Sequence, residues 1–517
     1  MRDVDVAVAA DPDDGVALSR RGVLHLALGN LERATADLKR AVELEPQDVD
    51  VHLQLATALI MQGQADAARP QLEAAIRLAP ADPAPWAIRA QLALSQGDAD
   101  AAIADASRAL TMRDDVAVRS DAYYARASAW AAKGDYAKML ADLDKGVAID
   151  PTRADFLRIR GTYESQANQP EAAKATLTKA LALDPRCAIC LALRAGALAQ
   201  LGDREGALAD VQAAISLDPK DAGLRVGVGN VYAALNDFPA ALAQYDAALK
   251  MAPTNDLFKL QRAAARDAAG DHAGAIEDFT QVLSHGPSAL AADTLIARGG
   301  AWESAGDRAH AMADFRSAAL LAPTKAEPLQ ALGVLLDRSG DLPGAAAAYT
   351  HALALKEDGP TANSLGRVLM FSGRFAQART AYVTTLRIGT TPQTYVPVWI
   401  YVAQIRADVS TEATARAELA ARAAPHAPRV WTDSLADFML GRIDAPALLR
   451  LADDRAADQR VGARCEADYY IAEVELAHGR RDAARPLLAE AVRTCPAEFY
   501  EAHGAKAEQA LQAKASN

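Results

Sequence analysis

The residues of this chain whose types could do chemistry are its four cysteines and nine histidines, and their spacing argues against most of that chemistry. Cys187 and Cys190 form a CxxC at the opening of a helical unit, where a helix N-terminus favours a thiolate. Redox catalysis of the thioredoxin kind needs a βαβ context around such a pair, and the periodicity on both sides is helical. Half of a zinc site is the other chemistry open to it, but no second cysteine or histidine pair stands at metal-ligand spacing. His25, His52, His272, His285, His310, His351, His426, His478 and His503 are scattered, and none makes the HExxH spacing that puts two ligands on one helix face. Gly227-Val228-Gly229 falls within a helical pattern and is not a dinucleotide loop. Neither a P-loop nor a nucleophile elbow occurs. The expectation is a chain with no catalytic residues, no metal and no cofactor, and not an enzyme.

The elements that would position any site repeat along the chain. From Ala292 to Pro323, small residues stand at Gly299, Ala311 and Ala318, large apolar ones at Leu295, Trp302 and Phe315, and Gly306 divides the two halves. Two short helices packed back to back have this pattern. Small side chains let the backbones approach, Gly306 supplies a left-handed cap, Asp307 caps the second helix, and Pro323 ends the unit. The dividing residue recurs as Gly29, Gly63, Gly97, Gly134, Asn168, Gly202, Asn236, Gly270, Gly306, Gly340 and Gly373. A small residue of the second helix recurs as Ala34, Ala68, Ala102, Ala173, Ala207, Ala241, Ala275, Ala311, Ala345 and Ala378, broken only by Met139. Units end at Pro46, Pro80, Asp114, Pro151, Pro185, Pro219, Pro253, Pro287, Pro323 and Glu357, with insertions around Asp115 and Thr391.

Spacing and residue types resemble the tetratricopeptide repeat (TPR), a helix-turn-helix unit of 34 residues. The resemblance implies an all-α TPR solenoid, a right-handed superhelix of antiparallel helix pairs. Read on that basis, residues 1–14 are the tail of a preceding repeat or a capping helix, and 15–390 hold eleven units. Degenerate hairpins follow at 391–464, a C-terminal unit at 465–497, and a capping helix and tail at 498–517. Because the chain opens in mid-repeat, a helix in its own right and a start lying further upstream both stay open. The first residues show neither a basic start nor an apolar stretch of signal-peptide length, and no apolar run is long enough for a transmembrane helix.

A second regularity links the two helices of a unit. An arginine is followed 16 residues later by an aspartate in Arg21 and Asp37, Arg89 and Asp105, Arg126 and Asp142, Arg194 and Asp210, Arg262 and Asp278, and Arg298 and Asp314. Where Leu55, Val228, Leu332 or Leu365 replaces the arginine the aspartate is absent too, and Arg160, facing Thr176, is the exception. Structural ion pairs within each unit are expected, since arginine can hold a carboxylate by two parallel hydrogen bonds and so fix the angle between helices. Cys465 and Cys495 stand near the two ends of one hairpin, which antiparallel packing brings together. A disulfide there, pointing to an oxidising compartment, and four buried reduced thiols both stay open.

In the repeat family the first helix of each unit lines a concave face. That resemblance implies a peptide-binding surface including Ile189, Ala192, Gly196, Val226, Asn230, Leu257 and Leu260, with Arg158 and Arg367 among its polar positions; that some of these residues instead pack against neighbouring repeats stays open as well. The surface is mostly apolar, and the ligand it suits is a helix or extended segment with apolar anchors. The net charge of −12 disfavours nucleic acid and anionic membranes. Expected partners are therefore proteins or peptides; a homodimer is a further outcome, with its contact sought in the irregular 391–455 stretch. The last hundred residues, through Trp431, Leu440-Gly441, Glu466, Tyr469-Tyr470, Ala491-Val492 and Phe499-Tyr500-Glu501, resemble the bacterial outer-membrane adaptor lipoproteins of the NlpI type. That likeness implies a periplasmic scaffold for cell-envelope proteins, and with the cysteines it tilts localisation from cytoplasm toward the envelope. Two rival readings are a cytoplasmic adaptor or chaperone-like assembly factor, and the non-catalytic arm of an enzyme truncated at its N-terminus.

Overall fold

The computed structural model describes the chain except for residues 113–115, 287, 390–393, 409–410, 424–428, 498 and 516–517. The unit ends read at Asp114 and Pro287, the insertions at Asp115 and Thr391, the 390/391 boundary, His426 and a last helix opening at Glu498 lie outside the described residues. Among the described residues there are 30 helices and no strand.

The hairpins form because hinge, cap and seam agree. All eleven hinge residues take positive φ, from 55° at Asn168 to 86° at Gly270, the region where glycine and asparagine are least penalised. At Gly306 (φ 84°) the turn is closed by Asp307 N–H donating to Trp302 O at 2.8 Å, and Asp307 Oδ1 then accepts from His310 N–H at 3.1 Å to cap the next helix. At the seam, Ala34, Ala207, Ala311 and Ala378 are wholly buried, and Met139, which interrupts the series, is only 1% exposed. The helices approach so closely that a Cβ on Gly299 would lie 2.7 Å from Phe315 Cε1, and one on Gly229 2.6 Å from Tyr245 Cε1.

The chain divides into two compact units, Met1–Gln261 and Arg262–Asn517. In the first, hairpins follow one another in sequence order, for example Ala188–Gln200 with Arg204–Leu217, then Ala222–Ala234 with Phe238–Met251. In the second, regular hairpins run as far as Gly359–Phe371 with Phe375–Ile388.

Beyond them come two short helix pairs, Val396–Arg406 with Glu412–Arg422 and Trp431–Met439 with Ala445–Asp453, then a longer hairpin and a last helix. The C-terminal unit opens at Ala457 rather than 465, in a 21-residue helix, Ala457–Ala477, so Cys465 lies inside a helix and not at its start. The last helix, Tyr500–Ala515, packs on Arg481–Thr494 and Ala457–Ala477 as a cap and also reaches Gly359–Phe371. An aromatic cluster makes this second contact: the Tyr500 ring lies 4.9 Å from Phe371 and 5.0 Å from Trp399, and its hydroxyl meets that of Tyr382 at 3.2 Å. Aromatic rings supply large buried area with preferred stacking geometry, which ties the last helix to these earlier ones.

Candidate peptide-binding groove

Three consecutive first helices of the N-terminal unit, Ala154–Gln166, Ala188–Gln200 and Ala222–Ala234, enclose a groove of about 420 Å³. Its walls are Ile189, Ala192, Leu193, Ala197, Leu224, Val231 and Ala234, with Ser165, Gln200, Asp221 and Asn230 as polar groups. The floor is open because of two glycines. A Cβ on Gly196 would meet nothing within 4 Å, and one on Gly227 only Ala192 Cβ at 3.9 Å. These two differ from Gly229 and Gly299, whose missing Cβ is filled by an aromatic ring. Ile189 is 48% exposed in a helix whose other face is buried, an apolar anchor left in solvent.

The polar groups are held in place. Tyr245 O–H donates to Asn230 Oδ1 at 2.6 Å, leaving the amide NH₂ of Asn230 as a donor for a ligand, and burial pushes the Tyr245 hydroxyl pKa up to about 12, so that it stays a donor. Asp221 caps the Ala222–Ala234 helix by accepting from Leu224 N–H at 3.0 Å.

Of the residues expected on the concave face, Ile189, Ala192, Gly196 and Asn230 come together here. Val226 does not: it is buried, and the lining positions of its helix, Gly223, Gly227, Asn230 and Ala234, follow one helical face on which position 226 does not fall. Leu257, 57% exposed, and Leu260, half-buried, lie outside the groove lining. Arg158 donates to Tyr124 O–H at 3.2 Å and pairs with Asp155 at 3.7 Å, so it belongs to an internal polar set rather than to the groove. Arg367, in the other unit, is engaged by the carboxylate of Asp337. Leu193 and Gln200 were not singled out from the sequence, and Gly227 was weighed there only as part of a dinucleotide loop, although it breaks the apolar run of its helix and could have been read as a gap in the wall.

Each arginine of the six-fold series meets its aspartate through two parallel bonds, at 2.8 and 2.8 Å for Arg21 and Asp37, 2.7 and 2.7 Å for Arg89 and Asp105, and 2.7 and 2.7 Å for Arg126 and Asp142. The remaining pairs, Arg194 with Asp210, Arg262 with Asp278 and Arg298 with Asp314, span 2.7–2.9 Å. All six aspartates are buried. The bond to Asp142 raises the Arg126 pKa further above its ordinary value. Several of these arginines also reach back to the preceding unit, Arg126 to Ser107 at 3.0 Å, Arg194 to Thr178 at 3.3 Å and Arg298 to Thr280 at 3.0 Å. Arg160 substitutes Asp144 of the preceding unit at 2.7 Å and Glu164 at 3.0 Å for the missing forward partner.

Both cysteine sets are disulfides, Cys187 with Cys190 and Cys465 with Cys495. Among the described residues no cluster of three or more histidine, cysteine or acidic side chains could hold a metal, and no helix is long and apolar enough to cross a membrane.

The C-terminal unit contains buried carboxylates, of which Glu466 and Glu501 entered the sequence reading only through the lipoprotein likeness and Glu473 and Glu508 not at all. Glu466 accepts from Tyr395 O–H and Trp431 Nε1–H, each at 2.9 Å, and Tyr470 O–H donates to Glu501 at 2.9 Å. Burial, aided by the charge of Glu501, pushes the Glu466 carboxyl up to about 8. Glu473, fully buried, shares Arg406 with Glu508, and burial together with Glu508 pushes it up to about 7. One arginine faces two carboxylates, so retaining a proton on one of them is the cheaper state.

Sequence models described as tetratricopeptide repeat match residues 25–92, and 88–154, 160–222, 193–256 and 227–289. A tetratricopeptide repeat protein from Parabacteroides merdae is 18% identical, the match covering 48% of this chain and 98% of that one at a TM-score of 0.38. Yeast Tom70 is 15% identical over 78% of this chain and 99% of its own, at 0.43. Pseudomonas aeruginosa pilF is 20% identical over 41% and 96%, at 0.33. No curated protein shows significant similarity to the chain. With the repeat models spanning about half of its length, and the same hairpin recurring around each hinge, the chain belongs to the tetratricopeptide repeat family, whose stacked helices serve as scaffolds for binding other proteins.

Proposed function

We propose that the protein is a non-catalytic interaction scaffold, and that the groove between Ala154–Gln166, Ala188–Gln200 and Ala222–Ala234 holds a peptide segment with apolar anchor residues. The open floor at Gly196 and Gly227 carries this reading. Two helical positions that forgo a side chain without any ring packed over them cost stability, roughly 0.5–1 kcal/mol each, and a ligand side chain accounts for the space. Exposed Ile189 supplies apolar contact, and Asn230 and Gln200 supply hydrogen bonds that fix a backbone. The excess of negative charge favours a protein ligand over nucleic acid.

Random 12-residue peptides displayed on phage and selected on the full chain test it. The expected peptides carry two or more large apolar residues and lose at least about tenfold in affinity for Gly196→Leu and Gly227→Leu, with helicity unchanged. Peptides that bind both variants as tightly as the parent place the ligand elsewhere.

The cell envelope is the favoured location. Two disulfides among four cysteines support an oxidising compartment, and the C-terminal likeness to outer-membrane adaptor lipoproteins agrees with it. Mass-spectrometric thiol counting on protein from its native compartment decides the matter: a joined Cys465–Cys495 pair supports the envelope, and four free thiols return the protein to the cytoplasmic adaptor reading.

A further inference from the structure

The two disulfides sit in opposite electrostatic settings. Cys187 is the N-cap of the Ala188–Gln200 helix; it is half-exposed, and its Sγ accepts from Cys190 N–H at 3.1 Å. Cys190 lies in the first turn of the same helix and is wholly buried against Leu177, Ala180 and Leu191. One sulfur thus faces solvent at the positive end of a 13-residue helix, while its partner is sheltered behind it. Cys465 is wholly buried inside Ala457–Ala477, and Cys495 follows the last residue of Arg481–Thr494, at the negative end of that helix. A thiolate is stabilised at Cys187 and disfavoured at both C-terminal positions.

We propose that Cys187–Cys190 is a thiol–disulfide exchange site that takes a dithiol protein as its redox partner, whereas Cys465–Cys495 is a permanent cross-link. A thiolate of the partner attacks Cys187 Sγ, the only one of the two sulfurs within reach; the Cys187–Cys190 bond breaks, and Cys190 leaves as a thiolate that takes up a proton. The partner's second thiolate then attacks its own sulfur in the mixed disulfide and releases Cys187 as the thiolate held by the helix N-terminus. Two electrons pass to the pair, and the partner's dithiol becomes a disulfide. A released thiolate held at the positive end of a helix favours the reduced form and makes such a pair easy to reduce. The site stands independently of the peptide groove, although Ile189 and Ala192 of the groove wall belong to the same helix.

The test titrates the oxidised full-length chain with dithiothreitol at pH 7, quenches by alkylation and reads each cysteine by peptide mass spectrometry, with circular dichroism to confirm that the helices persist. Cys187 and Cys190 are expected to be alkylated at about tenfold lower dithiothreitol than Cys465 and Cys495, the factor a helix terminus supplies. The Cys190→Ser chain, given glutathione disulfide, should carry glutathione on Cys187, and the Cys187→Ser chain should not carry it on Cys190. Reduction of both pairs at one concentration, or of Cys187–Cys190 only after the helices are lost, overturns the proposal. Should Cys190→Ser fail to fold, the titration of the parent chain alone decides.

Discussion

At the scale of the residue, two kinds of side chain explain why this chain stacks with such regularity. A buried aspartate held by both arms of an arginine ties the two helices of one hairpin, and the remaining guanidinium nitrogen reaches back to the hairpin before. Asp142→Asn should therefore cost about 1–3 kcal/mol, because it leaves Arg126 facing a neutral amide in a buried place. Chemical denaturation of the N-terminal unit measures it, and an unchanged midpoint would show the pair to be ornamental. The glycines divide in the same way. Gly229→Ala places a Cβ 2.6 Å from the Tyr245 ring and should destabilise by about 1–3 kcal/mol, whereas Gly227→Ala meets only Ala192 and should stabilise the helix by about 0.5–1 kcal/mol. Comparing the two unfolding midpoints separates a packing glycine from a groove glycine.

At the scale of the element, the packing of Tyr500–Ala515 against Arg481–Thr494, Ala457–Ala477 and Gly359–Phe371 creates an interior where carboxyl groups are kept from water. Around Glu466 stand Tyr395, Trp431 and Tyr470, with Glu501 and Arg455 as the charged neighbours. Its folded pKa of about 8, and that of Glu473 at about 7, lie above the 4.5 of a free glutamate. The folded form thus holds protons that the unfolded chain has already released. This contribution to stability is full below about pH 4.5 and is lost as pH rises through 7 to 8, at up to about 1.4 kcal/mol per pH unit for each group. Urea unfolding followed by tryptophan fluorescence, which reports Trp399 and Trp431 in this cluster, should give a lower midpoint at pH 8.5 than at pH 5.5. Glu466→Gln, which keeps a neutral hydrogen-bonding group, should flatten the difference. A midpoint that rises with pH contradicts the account.

At the scale of the whole molecule, the regular parts were legible and the irregular ones were not. Hinge glycines, seam alanines and arginine–aspartate pairs lie within one hairpin at fixed spacing, so periodicity exposes them, and the sequence likewise placed Ile189, Ala192 and Asn230 on one face. The choice between Val226 and Gly227 depends on how one helix is rotated against its neighbours, which no repeat position encodes. The C-terminal interior was hidden for a different reason. Tyr382 and Tyr500 meet across 118 residues, and Trp399 bonds Tyr470 across 71, pairings that only the folded chain brings together.

Cross-linking tests directly whether a partner peptide sits in the groove of the N-terminal unit. A photoreactive amino acid placed at Ile189 or Gly223, both in the groove lining, and at Gln212, exposed on the following helix, is irradiated with a selected apolar peptide bound. The account predicts adducts at 189 and 223, competed away by unlabelled peptide, and none at 212. Adducts at 212 with none at 189 or 223 would contradict it.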